Sequence, residues 1–165
     1  MSKRTRQYFG LLSAIVAYYI IHEGAHIIYA LSIGTFKQIN FMGIGMQIEV
    51  YTEQMSDTQL GIFCLLGAIA TLIAAYGLVA LAGMICNGQS KVFKACMYYI
   101  TLAMLLIDPI YLSLLCGFFG GGDMNGIALL VPEWIARIGF GILLFINGYL
   151  FWKSVLPRYQ QSFSE

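Results

Sequence analysis

Charged residues are scarce in this chain of 165 residues. Asp, Glu, Lys and Arg together make up 10% of the sequence, whereas hydrophobic residues make up 59%. A soluble domain has about 25% charged residues, so this composition excludes an ordinary soluble protein. Histidine occurs only twice, and the cysteines lack the spacing of a metal site or of a disulfide framework. We therefore predict that the cysteines are packing residues; they are Cys64, Cys86, Cys96 and Cys116.

The hydrophobic residues are concentrated in four long segments. These segments cover approximately residues 8–33, 61–86, 92–119 and 134–156. Each is longer than the roughly 20 residues that a helix needs to cross a bilayer. We predict an all-α polytopic membrane protein with about four transmembrane helices, forming one membrane-embedded domain over residues 1–165. The first segment exceeds the ~7–15 apolar residues of a signal peptide, so we expect it to be retained.

Positive charges are confined to a few places along the chain. Most Lys and Arg residues lie at the N-terminus, between the second and third segments, and at the C-terminus. They are Lys3, Arg4, Arg6, Lys91, Lys94, Lys153 and Arg158. Positive charge marks the cytoplasmic side of a membrane protein. The sequence therefore predicts cytoplasmic termini, and the compact chain favours an integral protein of a bacterial cell membrane.

The first hydrophobic segment contains the motif HEGAH at residues 22–26. Ionisable residues inside a membrane helix are costly, which favours a functional role. Histidines four residues apart lie on one face of a helix, so both imidazoles can bind one metal ion. Glu23 is then placed to act on a metal-bound water as a general base. The alternative is a polar cluster that holds helices together without a metal.

The connection after this segment resembles a β-hairpin. Residues 36–51 form two partly alternating runs around Gly43 and Gly45. The free edge of such a hairpin can bind an unwound peptide as an added strand. An amphipathic cap on the membrane surface is the alternative.

Small residues four apart line the second segment: Gly67, Thr71 and Ala75 on one row, and Ala70 and Ala74 on the next. Such rows let helices approach closely, so we expect this segment to pack against the HEGAH helix in a structural role.

A catalytic zinc site generally has three protein ligands, and the chain has no third histidine. Two aspartates are candidates. Asp108 lies at nearly the same predicted depth as the histidines, and the following Pro109 would free a backbone carbonyl there. Asp123 follows three glycines, which allow the chain to turn back toward the metal. The alternatives are an exposed turn for Asp123 and, for Asp108, a partner among Tyr98, Tyr99 and Tyr111.

Together these features resemble the site-2 protease class of intramembrane zinc metalloproteases, the peptidase M50 family. The resemblance is carried by HEGAH at residues 22–26, the hairpin-like connection, and GGDMNG at residues 121–126. It implies one zinc ion bound by His22, His26 and Asp123, with Asp108 as the alternative third ligand and Glu23 as the catalytic base. The chain departs from the family pattern, because the usual Asp-Gly step is replaced by Asp-Met-Asn-Gly.

The resemblance implies a zinc endopeptidase that cleaves a membrane-embedded or membrane-proximal peptide. Asn125 and Asn147 are candidate substrate-binding residues, and a structural role is the alternative for Asn147. The expected partners are the peptide substrate and the lipid bilayer, with no nucleic acid. Familiar family members open toward the cytoplasm, whereas the charges here place the hairpin and the zinc site on the outer side.

Two other functions compete with proteolysis. In one, the metal is a structural clasp in a non-catalytic scaffold or transporter accessory. A metal-ion transporter is disfavoured, because the sequence has one polar cluster rather than a path of ligands across the membrane.

Overall fold

The computed structural model describes residues 2–42 and 45–164. Four helical segments within them are long and apolar enough to cross a membrane. They are Lys3–Ser32, Asp57–Ala80, Lys91–Phe118 and Glu133–Ser164. The predicted fold class is confirmed. The bounds differ most at the two ends of the chain, because helix continues there through polar residues that a hydropathy pattern leaves out.

The first span is a single helix, α1 (Lys3–Ser32). Ser2 caps its start, since the Ser2 hydroxyl accepts a hydrogen bond from the Thr5 amide at 3.2 Å. Its 30 residues correspond to a length of about 45 Å, more than the hydrocarbon core requires. The helix ends where Gly34 adopts a positive φ of 73°.

The predicted hairpin is confirmed. Strands β1 (Phe36–Met42) and β2 (Gly45–Val50) pair antiparallel, with an irregularity in register between Phe36 and Gln38. Of the two glycines that marked the predicted hairpin, Gly43 lies outside the described residues and Gly45 begins β2. Ile48 of β2 is buried in one hydrophobic cluster with Ala30 of α1. The hairpin is therefore anchored to the end of the helix that carries HEGAH.

The remaining helices follow in sequence. Helix α2 (Asp57–Ala80) begins at a capping box formed by Ser56 and Gln59. Helix α4 (Lys91–Ile110) continues through a π-helical turn at Tyr111–Leu115 and a short 3₁₀ turn at Cys116–Phe118. A second π-helical turn, Phe151–Val155, joins the last two helices. The helices are α2 (Asp57–Ala80), α3 (Ala82–Cys86), α4 (Lys91–Ile110), α5 (Asp123–Ile127), α6 (Glu133–Leu150) and α7 (Leu156–Ser164).

Pro109 lies inside α4 and, as predicted, frees a carbonyl. Proline has no amide hydrogen, so the carbonyl of Leu105 loses its partner within the helix. The side-chain amide of Asn147 in α6 donates a hydrogen bond to this carbonyl at 2.8 Å. The phenol of Tyr76 in α2 donates to the Asn147 oxygen at 2.8 Å. This pair of bonds links α2, α4 and α6 in the interior of the bundle.

The basic segments lie together at one end of the bundle. The Lys94 ammonium donates to the Ser162 carbonyl at 2.7 Å, and the Ser162 hydroxyl donates to the Cys86 carbonyl at 2.9 Å. Helix α7 is thereby held against the connection between α3 and α4. Lys3 and Arg6 line a cavity at the same end. The hairpin, by contrast, is attached to the opposite end of α1.

Candidate metal centre

Three side chains from two separate parts of the sequence converge in the bundle. His22 and His26 lie one turn apart on α1, and Asp123 is the first residue of α5. One donor atom from each lies within 4.8 Å of the other two. The Asp123 carboxylate is 3.1 Å from His22 Nε2 and 3.7 Å from His26 Nε2. Both histidines are buried, whereas the Asp123 side chain keeps 24% of its surface accessible.

The glycines before Asp123 return the chain to this position. Gly120, Gly121 and Gly122 all have positive φ, at 78°, 88° and 47°. Three consecutive residues of this kind strongly favour glycine, because a Cβ strains the backbone there. The Asn125 side-chain amide donates to the Gly120 carbonyl at 3.0 Å and closes the loop. Asn125 thus has a structural contact, and its predicted role in substrate binding stays a prediction.

Gly67 of α2 leaves space beside the two histidines. A Cβ at this position would lie 2.6 Å from His22 Nε2 and 2.7 Å from His26 Nε2. These are the two nitrogen atoms that face Asp123. Any side chain at residue 67 would therefore fill the volume between the three donors. The expected packing of α2 against the HEGAH helix is confirmed, and it places Gly67 at the centre of the site.

The outer nitrogen of His26 has a fixed partner. His26 Nδ1 is 2.8 Å from the Phe63 carbonyl oxygen, which only accepts hydrogen bonds. Nδ1 therefore carries a proton, and Nε2 is the nitrogen that faces Asp123 and His22. Histidine ligands of metals are commonly oriented in this way.

Asp108 lies at the other edge of the His22 ring. Its carboxylate is 3.3 Å from His22 Nδ1, although this direction is unsuitable for a hydrogen bond. The Tyr18 phenol donates to Asp108 at 2.5 Å, and the Thr71 hydroxyl also donates to it. Asp108 is therefore a tyrosine partner at the depth of the histidines. The geometry favours Asp123 over Asp108 as the third ligand.

The tyrosine that binds Asp108 differs from the three named as alternatives from the sequence. It is Tyr18 of α1, rather than Tyr98, Tyr99 or Tyr111. Tyr18 precedes His22 by four residues, so it lies on the same helical face, and the two rings stack with centroids 5.2 Å apart. This spacing was a signal in the sequence. The small-residue row of α2 therefore does more than allow close packing, because the Thr71 hydroxyl in it donates a hydrogen bond to Asp108.

Glu23 is half-buried and follows His22 directly. Its helical position is three residues before His26, so the two side chains are neighbours on the surface of α1. The ion pairs of the cluster are made by the histidines and the two aspartates rather than by Glu23. Its role as a base stays a prediction.

Asn147 does not lie at the surface of the site. It is fully buried, and its amide is engaged by Leu105 and Tyr76. A substrate could reach it only if these contacts opened. The predicted role of Asn147 in substrate binding has no support from this geometry and stays a prediction.

The environment of Asp123 keeps its side chain ionised. Burial raises the pKa of the carboxyl, but the adjacent His22 and His26 outweigh this effect and bring the pKa to about 2. A carboxylate is the form that binds a metal.

The donor set fits a divalent ion that prefers nitrogen and oxygen ligands. Two ligands at the usual ~2.0–2.1 Å from a tetrahedral zinc ion are about 3.3 Å apart. The distances of 3.1 and 3.7 Å from Asp123 to the histidines bracket this value. The space beside Gly67 and the fixed orientation of His26 also agree with a bound ion. The structure therefore contains a possible metal-binding triad.

Comparisons of this chain with protein-family models, with curated proteins and with solved structures found no match.

Proposed function

We propose that this protein is an intramembrane zinc endopeptidase of the site-2 protease type. The observation that carries the proposal is the convergence of His22, His26 and Asp123 inside a membrane protein, with Glu23 next to the first histidine. Ionisable groups at such a depth are costly, so a cluster of this kind favours a function. The resemblance of HEGAH to the protease motif supplies the reaction class.

A zinc ion held by the triad would activate a water molecule and polarise the peptide carbonyl. In the proposed reaction Glu23 accepts a proton from the attacking water. It later donates that proton to the leaving amine. Asp108 does not contact the reacting atoms; Tyr18 and Thr71 hold its carboxylate 3.3 Å from His22 Nδ1, where its charge faces that edge of the ring. The partial exposure of Asp123 supports approach of substrate from its side of the cluster.

The hairpin is the proposed binding site for the substrate. A peptide bond within a helix is shielded, so a helical substrate must unwind before cleavage. Each strand of a two-stranded sheet has one unpaired edge, and we place the substrate on that of β1, because Ile48 packs β2 against α1. Ile39 and Phe41 of β1 expose apolar side chains there. These side chains suit an extended hydrophobic peptide.

We further propose cytoplasmic termini in a bacterial cell membrane. The clustering of the basic segments at one end of the bundle supports this orientation. The hairpin and the triad would then face the outer side.

Zinc content tests the site. We expect one zinc per chain in purified wild-type protein and in Glu23→Gln, and loss of zinc in Asp123→Asn. The reason is that Asp123 would bind the metal whereas Glu23 would act on water. Metal analysis after exchange into chelator-treated buffer measures this. A wild-type protein that stays free of zinc after metal-replete preparation would contradict the proposal.

Proteolysis is tested by comparing peptide termini in membranes of cells that make wild-type protein or Glu23→Gln. New termini within membrane-proximal segments should appear only with the wild type. Glu53→Gln is the matched control, since Glu53 is an exposed glutamate in the connection after the hairpin.

A structural clasp is the second candidate function. It is favoured by the bonds from Tyr18 and Thr71 to Asp108, which join α1, α2 and α4 around the same histidines. A clasp predicts that Glu23→Gln retains both zinc and cellular function. A protease predicts that this variant retains zinc and loses function.

A further inference from the structure

A basic cavity lies at the end of the bundle remote from the metal-binding triad. It has a volume of about 580 Å³ and lies between the start of α1, the first half of α4, and α7. Lys3 and Arg6 contribute positive charge, while Gln7 and Gln160 contribute amides. No acidic side chain from residues 2–42 or 45–164 lines it. The cavity is thus suited to an anion.

An apolar groove runs along the same pair of helices. Its volume is about 440 Å³, and almost all of its wall is hydrocarbon. Leu11, Ala14 and Ile15 come from α1, and Leu102, Ala103 and Leu106 come from α4. In a membrane protein, a groove of this kind between two spanning helices is open to acyl chains.

Tyr99 joins the two features. Its side chain lines both the basic cavity and the apolar groove. The Tyr99 ring packs directly against Gly10, where any Cβ would clash with it. Gly10 thus lets the ring lie between the two helices. Cavity and groove are therefore neighbouring parts of one α1–α4 surface, charged at the end of the bundle and apolar along its length.

We propose that this surface binds one phospholipid with an anionic headgroup. The phosphate of the lipid occupies the basic cavity beside Lys3 and Arg6, and one acyl chain lies in the groove. The charge of the cavity matches the anionic lipids of a cytoplasmic leaflet. A free phosphate ester shares the headgroup chemistry but makes no use of the groove.

The groove also connects this lipid to the metal-binding triad. Tyr18 lines the groove, and its phenol donates to Asp108 beside His22. A bound acyl chain therefore contacts the residue that helps to hold Asp108. The proposal itself is independent of proteolysis and of zinc.

Native mass spectrometry of delipidated protein in detergent tests the proposal. Phosphatidylglycerol is the probe, phosphatidylcholine is the neutral lipid control, and glycerol 3-phosphate is the soluble control. We expect one phosphatidylglycerol per chain to bind at least 10-fold more tightly than phosphatidylcholine. The double variant Lys3→Gln/Arg6→Gln should weaken binding of phosphatidylglycerol about 10- to 30-fold, since each basic residue near a lipid surface contributes about a fivefold effect.

The matched charge control is Lys153→Gln/Arg158→Gln, which removes the same two charges from residues that do not line the cavity. It should retain wild-type affinity. Ala103→Trp fills the groove and should lower affinity for the lipid without changing that for glycerol 3-phosphate. Ile138→Trp, on the exposed side of α6, is its control.

Three results would overturn the proposal. Equal affinity for the two lipids would exclude recognition of the headgroup. Equal losses in the two charge variants would indicate attraction by net charge alone. Tight binding of glycerol 3-phosphate would assign the cavity to a soluble phosphate ester if Ala103→Trp also left the affinity for phosphatidylglycerol unchanged. Thermal unfolding of each variant without lipid shows that the fold is intact.

Discussion

A buried carboxylate inside the bundle, Asp108, accepts two hydrogen bonds, and an exposed carboxylate on the hairpin, Glu49, accepts three. Asp108 is 1% exposed and accepts bonds from Tyr18 and Thr71. Glu49 is 34% exposed at its side chain and lies on β2. The number of donors is similar, so the difference between the two groups is their access to water.

The hairpin cluster consists of Glu49 and three donors. Lys37 forms an ion pair with Glu49, and the side-chain amides of Gln38 and Asn40 donate to the same carboxylate at 2.7 and 2.8 Å. Hydrogen bonds from Lys37, Asn40 and Gln38 lower the pKa of Glu49 to about 2. Exposed pairs of this kind are screened by water and salt, so they contribute little stability.

The buried cluster is sensitive to the loss of any member. A buried polar group that loses its partner has no water to replace it, which costs about 1–3 kcal/mol, and more for a charged group. The cluster around His22 is therefore a site where geometry is fixed, whereas the hairpin cluster can rearrange. A metal site with precise geometry requires a fixed environment like that around His22. A peptide-binding edge that adapts to its ligand suits an exposed environment like that of the hairpin.

Gly67→Ala should have the largest effect on the buried cluster. The new Cβ would lie 2.6–2.7 Å from the imidazole nitrogens, which real contacts do not allow, so the rings must move apart. We expect loss of stoichiometric zinc in metal analysis. Gly77→Ala is the matched control, because residue 77 is in the same helix and its added Cβ meets no atom within 4 Å. Wild-type zinc affinity in Gly67→Ala would show that the metal does not occupy this space.

Asp108→Asn should have an intermediate effect. The variant keeps the size of the side chain but removes the charge beside His22 Nδ1. Changes in the groups that orient metal ligands typically lower metal affinity 10- to 100-fold. Competition with a chelator measures this affinity for zinc, and Asp123→Asn should lower it far more than Asp108→Asn does. Asp57→Asn, at an exposed position in the first turn of α2, should change nothing. If Asp108→Asn were the more severe variant, Asp108 would be the third ligand.

The overall architecture could be predicted because its signals are local. Apolar runs define the spans, and the alternating residues around Gly43 and Gly45 define the hairpin. The pair His22 and His26 follows from helical spacing alone. The position of Asp123 was left open by spacing and depth, since it depends on the path of a loop that returns over a long distance in sequence.

The supporting contacts were harder to predict, for a physical reason. A tyrosine partner was one of two alternatives for Asp108, but the actual partner, Tyr18, comes from another helix and depends on how α1 rotates against α4. The Phe63 carbonyl carries no signal, because every residue has a backbone carbonyl. Gly67 was identified as a packing residue. Its position between the two histidines follows only from the rotation of α2.

Glu49→Gln should have the smallest effect and thereby sharpen the contrast between the two clusters. Zinc content and the thermal unfolding temperature at neutral pH should match the wild type, because water replaces the lost contacts. A local effect should remain: amide hydrogen exchange in the hairpin should be faster than in the control Glu53→Gln. Zinc loss in Glu49→Gln would show instead that the hairpin and the triad are energetically coupled.

The pH dependence of the hairpin follows from the same carboxylate. The pKa of Glu49 in the folded protein lies below its ordinary value of 4.5. The stability that ionised Glu49 gives to the hairpin is therefore fully present at neutral pH and is lost as the pH falls from about 4.5 toward about 2. Amide exchange in the hairpin of the wild type should approach that of Glu49→Gln across this interval. High salt at neutral pH should likewise make amide exchange in the wild-type hairpin faster, since the pair between Lys37 and Glu49 is accessible to ions.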